Sequence, residues 1–272
     1  MRKISLLIFI AIFCFVYIPD FLWAKDLRIV SLVPSSTEII CALGLRDNLV
    51  GVTTYCDYPP EVLKIDKIGN TALNTEKIIS LNPDVLVDTN SAHGRYAPFL
   101  QKLGYSYINL KIDNLQELLS EAKRLSDFLG KPEAYLPFKE KYEKAINSLR
   151  FRMDKKPRIY IEVWNIPWQT AGGNTFINDI IERAGGVNIF KKMKNYKSIN
   201  FEMLISRDPD IVLLAYPQAD PKEFAAREGF SALKAVRAGR VYKMPYDLFV
   251  RPSPRNLEAT AHLNALIERI SE

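Results

Sequence analysis

Histidine and cysteine are scarce in this chain of 272 residues, which carries two histidines, His93 and His262, and three cysteines. So few imidazoles and thiols, with no paired Cys-to-Cys metal spacing, exclude a histidine-rich site for a bare transition metal. No GxSxG elbow and no P-loop occurs, which removes the common hydrolase and nucleotide-phosphate signatures. After the first two dozen residues, no apolar run reaches the roughly 18 residues that a bilayer span needs. Charge of one sign is not concentrated either. The net charge is +6, but the basic residues are dispersed (Lys139, Lys141, Lys144; Lys191, Lys192, Lys194) without interleaved aromatics, the pattern of solvated faces rather than of a nucleic-acid module.

The N-terminus has the layout of an export signal: Arg2 and Lys3 precede an apolar run from Ile4 to Ile18, and Ala24 closes the segment before Lys25 and Asp26. Residues 1–24 are therefore expected to be a signal peptide, cleaved after Leu22-Trp23-Ala24, with a retained anchor as the rival reading. The protein is then exported to the periplasm. The remaining chain, about 248 residues, suggests two domains at about 100 to 200 residues each. Its two cysteines, Cys41 and Cys56, either form a disulfide in an oxidising compartment or serve as small apolar residues, Cys41 in the helical pattern of Ile39, Ile40 and Leu43 and Cys56 in a loop.

An internal duplication shows the organisation. Glu76 to Leu86 reads EKIISLNPDVL and Glu202 to Val212 reads EMLISRDPDIV, aligned without a gap 126 residues apart. Each copy is a short helix ending near Pro, then Asp and an apolar run typical of a strand buried on both faces. Strands are expected at 28–32, 49–53, 85–88 and 107–110 in the first half, and at 159–163, 211–215 and 241–244 in the second. Strands alternating with helical patterns indicate βαβ units and parallel sheets. Between the halves, residues 131–156 read as one long helix, with Pro132 near its start, Pro157 beyond its end, and Tyr135, Phe138, Tyr142, Ile146 and Leu149 at helical spacing. The expected fold is thus α/β, with two similar lobes (25–130 and 157–272) of mainly parallel sheets joined by a rigid helix, and a ligand cleft between them.

In open parallel sheets ligands sit beyond the carboxyl ends of the strands. There this sequence places Pro34-Ser35-Ser36, Tyr55 to Tyr58, Asn90 to Arg95, Trp164 to Trp168, Tyr216-Pro217 and Tyr246 to Arg251. Large rigid rings with a few polar tips suit a cleft that grips a broad, partly apolar ligand. Ala171-Gly172-Gly173-Asn174 before a helix can be read as an anion cradle or, more plainly, as a turn with Asn174 as helix cap. His262 lies in a C-terminal helix expected over Asn256 to Ile270. Glu76 and Glu202, each two residues after an asparagine cap, occupy equivalent points of the two lobes, where they stabilise helix starts or meet a two-fold partner.

Six segments, RIVSLVPSSTEIICALGL (28–45), VGVTTYCDYPPEV (50–62), LNPDVLV (81–87), TAGGNTFINDIIERAGGVNIF (170–190), SRDPDIV (206–212) and RPSPR (251–255), occur in this order. Together they resemble the periplasmic vitamin B12 (cobalamin) binding proteins of ABC importers, within the helical-backbone (class III) solute-binding superfamily that includes ferric siderophore and haem receptors. The resemblance covers essentially the whole chain after the leader. It implies a non-enzymatic, monomeric receptor that captures cobalamin or a related corrinoid between its lobes and delivers it to a permease dimer with its ATPase, without a cofactor or nucleic acid. It places Tyr55, Cys56, Asp57 and Tyr58 in a ligand-contacting loop and Asp247 near the corrin's amide arms. Glu76 and Glu202 fall on the acids that meet permease arginines. Trp164, Trp168, Tyr246, Phe249 and Arg251 complete the expected contacts. The pattern departs at two loops, near Gly69-Asn70-Thr71 and Asp88 to Ser91, where tryptophans of the family face the corrin and this chain has none; Trp164 and Trp168 stand in the other lobe. An iron-chelate or haem receptor on the same fold would use Arg95, Arg251 and Arg255, and an extracytoplasmic enzyme would need a catalytic pair that the sequence does not display.

Overall fold

The computed structural model of the protein describes residues 27–148 and 156–271. The expected leader, 1–24, lies outside them. The strands are β1 Ile29–Ser31, β2 Leu49–Val52, β3 Val85–Thr89, β4 Ser106–Leu110, β5 Arg158–Glu162, β6 Trp164–Asn165, β7 Trp168–Ala171, β8 Val187–Asn188, β9 Tyr196–Ser198, β10 Ile211–Leu214 and β11 Val241–Lys243. Two four-stranded parallel sheets form, in the orders β2-β1-β3-β4 and β8-β5-β10-β11. The two orders are the same arrangement repeated, as the duplicated sequence implied, and the seven expected strands lie on the observed ones to within about two residues at either end.

The repeated Pro-Asp motif has a local physical basis. Asp84 Oδ2 accepts the amide of Arg28 at 2.9 Å, and Asp210 Oδ2 accepts the amide of Arg158 at 2.9 Å, so each aspartate satisfies an amide at the start of a central strand. Each arginine then reaches a carbonyl at the end of the preceding helix, Arg28 to Leu81 (2.7 Å) and Arg158 to Arg207 (2.7 Å). The strands that follow, β3 and β10, are buried along their whole lengths, which is why they read as continuous apolar runs.

Each lobe has its own core on both faces of its sheet. In the first, Ile29, Ile40, Val87 and Leu118 lie on one side and Val30, Ile68, Ile78 and Leu86 on the other. In the second, Ile159, Ile177, Phe249 and Leu263 lie on one side and Tyr160, Phe190, Phe224 and Phe230 on the other. Of the expected long connector, Pro132–Ala134 forms a 3-10 turn and Tyr135–Ser148 an α-helix, while 149–155 lie outside the described residues. Phe138 and Tyr142 bury against the first-lobe core, so this helix is packed on that lobe rather than spanning open solvent. The C-terminal helix is Asn256–Ser271. Among the described residues, no helix is long and apolar enough to cross a membrane.

A third, antiparallel sheet, β6-β7-β9, has no counterpart among the expected strands. It stands at the end of β5 and carries the second lobe's aromatic rim.

Candidate ligand-binding cleft

A cleft of about 800 Å³ opens between the lobes at the carboxyl ends of the strands. The first lobe contributes Pro34 and Ser35 after β1, Thr54, Tyr55 and Asp57 after β2, and Thr89, Asn90 and Ala92 from the end of β3 onward. The second contributes Trp164 after β5, Pro217 after β10, and Tyr246, Asp247, Val250 and Arg251 after β11. Phe176 and Tyr196, absent from the expected set, complete the wall. Their only sequence signal was membership of the Gly-Gly helix and of an irregular Lys-rich stretch, neither of which pointed to a cleft.

Six of the expected contacts therefore meet here: Tyr55, Asp57, Trp164, Tyr246, Asp247 and Arg251. The other four lie elsewhere. Cys56 is 1 % exposed, and its Sγ lies 3.2 Å from the hydroxyls of Thr37 and Thr53, because the turn after β2 points it into the core. Phe249 is fully buried among the second lobe's apolar residues, on the inward face of the helix Tyr246–Val250. Trp168 packs edge-on against Phe230 at 5.0 Å and supports the antiparallel sheet from behind. Tyr58 turns away beneath the Arg255 guanidinium, 4.1 Å from its ring centroid, in a separate rear pocket with Phe138 and Tyr142. Both cysteines are free thiols. Burial pushes the Cys41 thiol up to about 12 and raises the Cys56 thiol as well, so neither side chain presents a ready nucleophile.

The Gly-Gly turn is not an anion cradle. The Gly172 and Gly173 amides donate to the carbonyls of Asn195 and Met193 at 2.9 Å each. A Cβ on Gly173 would sit 2.0 Å from the Lys191 carbonyl oxygen, so close backbone approach is what requires glycine. The helix cap is Thr175, whose hydroxyl accepts from the Asn178 amide, and not Asn174, which bonds Asn195 instead.

Electrostatics at the cleft floor centre on Arg251. Its guanidinium meets Asp57 (2.6 Å) and Glu38 (3.3 Å) of the first lobe and Asp247 (2.6 Å) of its own helix, and it donates to the Tyr55 carbonyl (3.3 Å). This cluster ties the two lobes together. Burial raises the Glu38 carboxyl above its usual range in spite of Arg255 and Arg251. Burial also acts upward on Asp57, but the hydrogen bond and charge of Arg251 outweigh it and hold that carboxyl below the usual value. A depressed carboxyl contributes stability above its unfolded value, and that contribution is lost as pH falls through the folded one. Asp57 is half exposed, so less than about 1 kcal/mol is at stake. In thermal melts, wild type is expected to exceed Asp57→Asn at about pH 5, with the gap closing as the pH drops below 3.8, the reference value for the carboxyl. A gap independent of pH would contradict this assignment.

Because Arg251 is engaged by three carboxylates, it has little charge to offer an anionic ligand. Arg95 donates to the Thr71 carbonyl outside the cleft, and Arg255 lines the rear pocket. The cleft wall thus carries Asp57 and Asp247 against one arginine and no lysine. Its rings, Tyr55, Trp164, Phe176, Tyr196 and Tyr246, dominate, a surface for a broad and largely uncharged body. Among the described residues no group of three His, Cys, Asp or Glu side chains is placed to hold a metal ion.

Glu76 and Glu202 are both exposed, in the first turns of matched helices capped by Asn74 and Asn200, whose side chains accept from the Lys77 and Met203 amides at 2.9 Å. Each helix ends near the start of a central strand, where Asp84 and Asp210 donate their amides to the Arg28 and Arg158 carbonyls. Both helices begin toward the carboxyl edge that bears the cleft: the Asn74 amide donates to Ile68, whose own amide bonds Val52 at the end of β2, and Ile199, just before Asn200, donates to Trp168 beyond the end of β5.

A periplasmic binding protein family model matches residues 29–248. An uncharacterized ABC transporter substrate-binding lipoprotein of Bacillus subtilis is 30% identical over 249 residues, covering 87% of this chain and 78% of its own. A vitamin B12-binding protein of Vibrio cholerae is 28% identical over 253 residues, covering 90% and 91%. A solved periplasmic heme-binding protein from Roseiflexus sp. superposes with a TM-score of 0.79 at 25% identity over 88% of this chain and 97% of that one.

Proposed function

The chain belongs to the periplasmic binding protein family, and from that premise we propose that it is the extracytoplasmic receptor of an ABC importer for cobalamin or a related corrinoid. In this reading it acts after export by its leader, as a monomer and with no catalytic step. The observation that carries the choice of ligand is the composition of the cleft. Its aromatic wall offers large flat contact surfaces, and its single arginine is engaged by carboxylates, which leaves no cationic patch for a polyanionic chelate. A corrin ring with neutral amide arms matches that balance, with Asp247 and Asn90 supplying polar contacts. The similarity to a vitamin B12-binding protein points the same way.

A haem reading draws support from Tyr55, Tyr196 and Tyr246, since a phenolate is an established axial ligand for ferric haem. One titration separates the two. Trp164 stands 46 % exposed at the cleft mouth, so cyanocobalamin is expected to quench its fluorescence saturably, and Trp164→Ala to weaken binding about tenfold, the order of one lost aromatic contact. Haem that binds with a tyrosinate spectrum, together with no response to cyanocobalamin, would transfer the assignment to haem.

A further inference from the structure

A second pocket of about 330 Å³ joins the cleft through three shared residues, Asn90, Phe176 and Tyr196. Its character is different. Both lobes line it, with Asn109, Lys111 and Asp113 from the first and Asn174 and Asn195 from the second. The orientation of its amides is fixed by the backbone. Asn109 Oδ1 accepts the Ser91 amide at 2.7 Å, so its NH2 group is the end left over. Asn195 Oδ1 accepts from Asn174 Nδ2 at 2.7 Å, while Asn174 Oδ1 is taken by the Asn195 amide, so Asn195 likewise keeps its NH2 group. Lys111 adds an ammonium with no ion pair among the described residues. The pocket therefore presents donors from both lobes beside a cleft wall made mostly of rings.

We infer that this donor-rich pocket receives an acceptor-rich arm of the ligand, of the sugar-phosphate kind, while the aromatic cleft holds its broad body. The inference rests on the corrinoid reading above and sharpens it: the preferred ligand is a complete cobalamin with its nucleotide arm, not the bare corrin ring. Lys111 supplies one positive charge to a phosphodiester, and the two asparagine NH2 groups bond ribose or phosphate oxygens. Asp113 takes a hydroxyl donor. An arm seated here touches both lobes, so its binding also favours one lobe arrangement.

The test compares cyanocobalamin with dicyanocobinamide, which has the same ring without the nucleotide arm, on wild type and on the double variant Asn109→Asp, Asn195→Asp. Aspartate keeps the oxygens that accept from the Ser91 amide and from Asn174 and removes the two NH2 donors. Wild type is expected to bind cobalamin at least about tenfold more tightly than cobinamide, the order of a lost hydrogen bond to a phosphate. The double variant is expected to lose that preference through weaker cobalamin binding alone. Equal affinities of wild type for the two corrinoids, or an equal loss for both in the variant, would overturn the assignment of the pocket while leaving the corrinoid receptor intact. Binding of neither corrinoid would overturn the receptor's ligand and this pocket with it.

Discussion

Replacing Arg227 with leucine is expected to lower the stability of the protein by about 3–5 kcal/mol, the range for a buried charge left without its partner. The partner is Glu162, which ends β5 and is fully buried. Arg227 grips it with two bonds of 2.7 Å, and the Tyr160 hydroxyl donates to the same carboxylate at 3.0 Å. The guanidinium also lies over the rings of Phe224, Trp168 and Phe230, 4.7 to 5.5 Å from their centroids. Leucine keeps part of that packing and strands the carboxylate. Calorimetric melts of Arg227→Leu should show the loss, and the pair Arg227→Leu with Glu162→Gln should recover much of it, because the amide removes the uncompensated charge. A change below about 1 kcal/mol would mean that the bidentate pair does not form. Because Glu162 lies two residues before Trp164 and Arg227 braces Trp168, the same variant should also loosen the antiparallel sheet that shapes the cleft rim.

We propose that Glu76 and Glu202 are the contacts with the permease; reversing both, Glu76→Lys with Glu202→Lys, is then expected to abolish import while leaving ligand affinity within about twofold. Neither residue lines the cleft, so ligand contacts are untouched. Both are exposed at helix starts on the cleft-bearing edges of the two lobes, spaced by an internal duplication that a two-fold permease surface can match. Carboxylates bonded to arginines across such an interface are strong when paired and repulsive when reversed. Some local cost follows from placing cations at helix N-termini, less than about 1 kcal/mol each, far too little to unfold the lobes. Uptake of ligand in cells lacking the native receptor measures the effect, with binding by the purified variant as the control. Normal uptake by the double variant would sink the docking assignment.

The duplicated fold was legible because it is written in local chemistry. Pro-Asp before an apolar run marks a strand buried on both faces, and it recurs in both halves for the same reason: an aspartate bonds an amide at the start of each central strand. The loops at the strand ends were legible too, since parallel topology alone dictates where a cleft opens. Which way each side chain turns was not. Tyr55 and Cys56 are neighbours, yet one is 53 % exposed in the cleft wall and the other 1 % exposed in the core, a difference set by one turn of backbone. Phe249 and Tyr246 share a five-residue helix and part in the same way. The Arg251 cluster and the Arg227–Glu162 pair join residues 194 and 65 positions apart, separations at which no sequence pattern announces a partner. The antiparallel sheet escaped for a simpler reason: its strands span two to four residues, too short for alternation to show.

The central claim, a receptor whose interlobe cleft binds one corrinoid, is tested most directly by calorimetric titration of the purified chain from Lys25 onward with cyanocobalamin, beside haem and a ferric siderophore. Saturable one-to-one heat with cyanocobalamin, absent or far weaker with the two iron chelates, is the predicted result. No heat with cyanocobalamin, with saturable binding of either iron chelate, would contradict it.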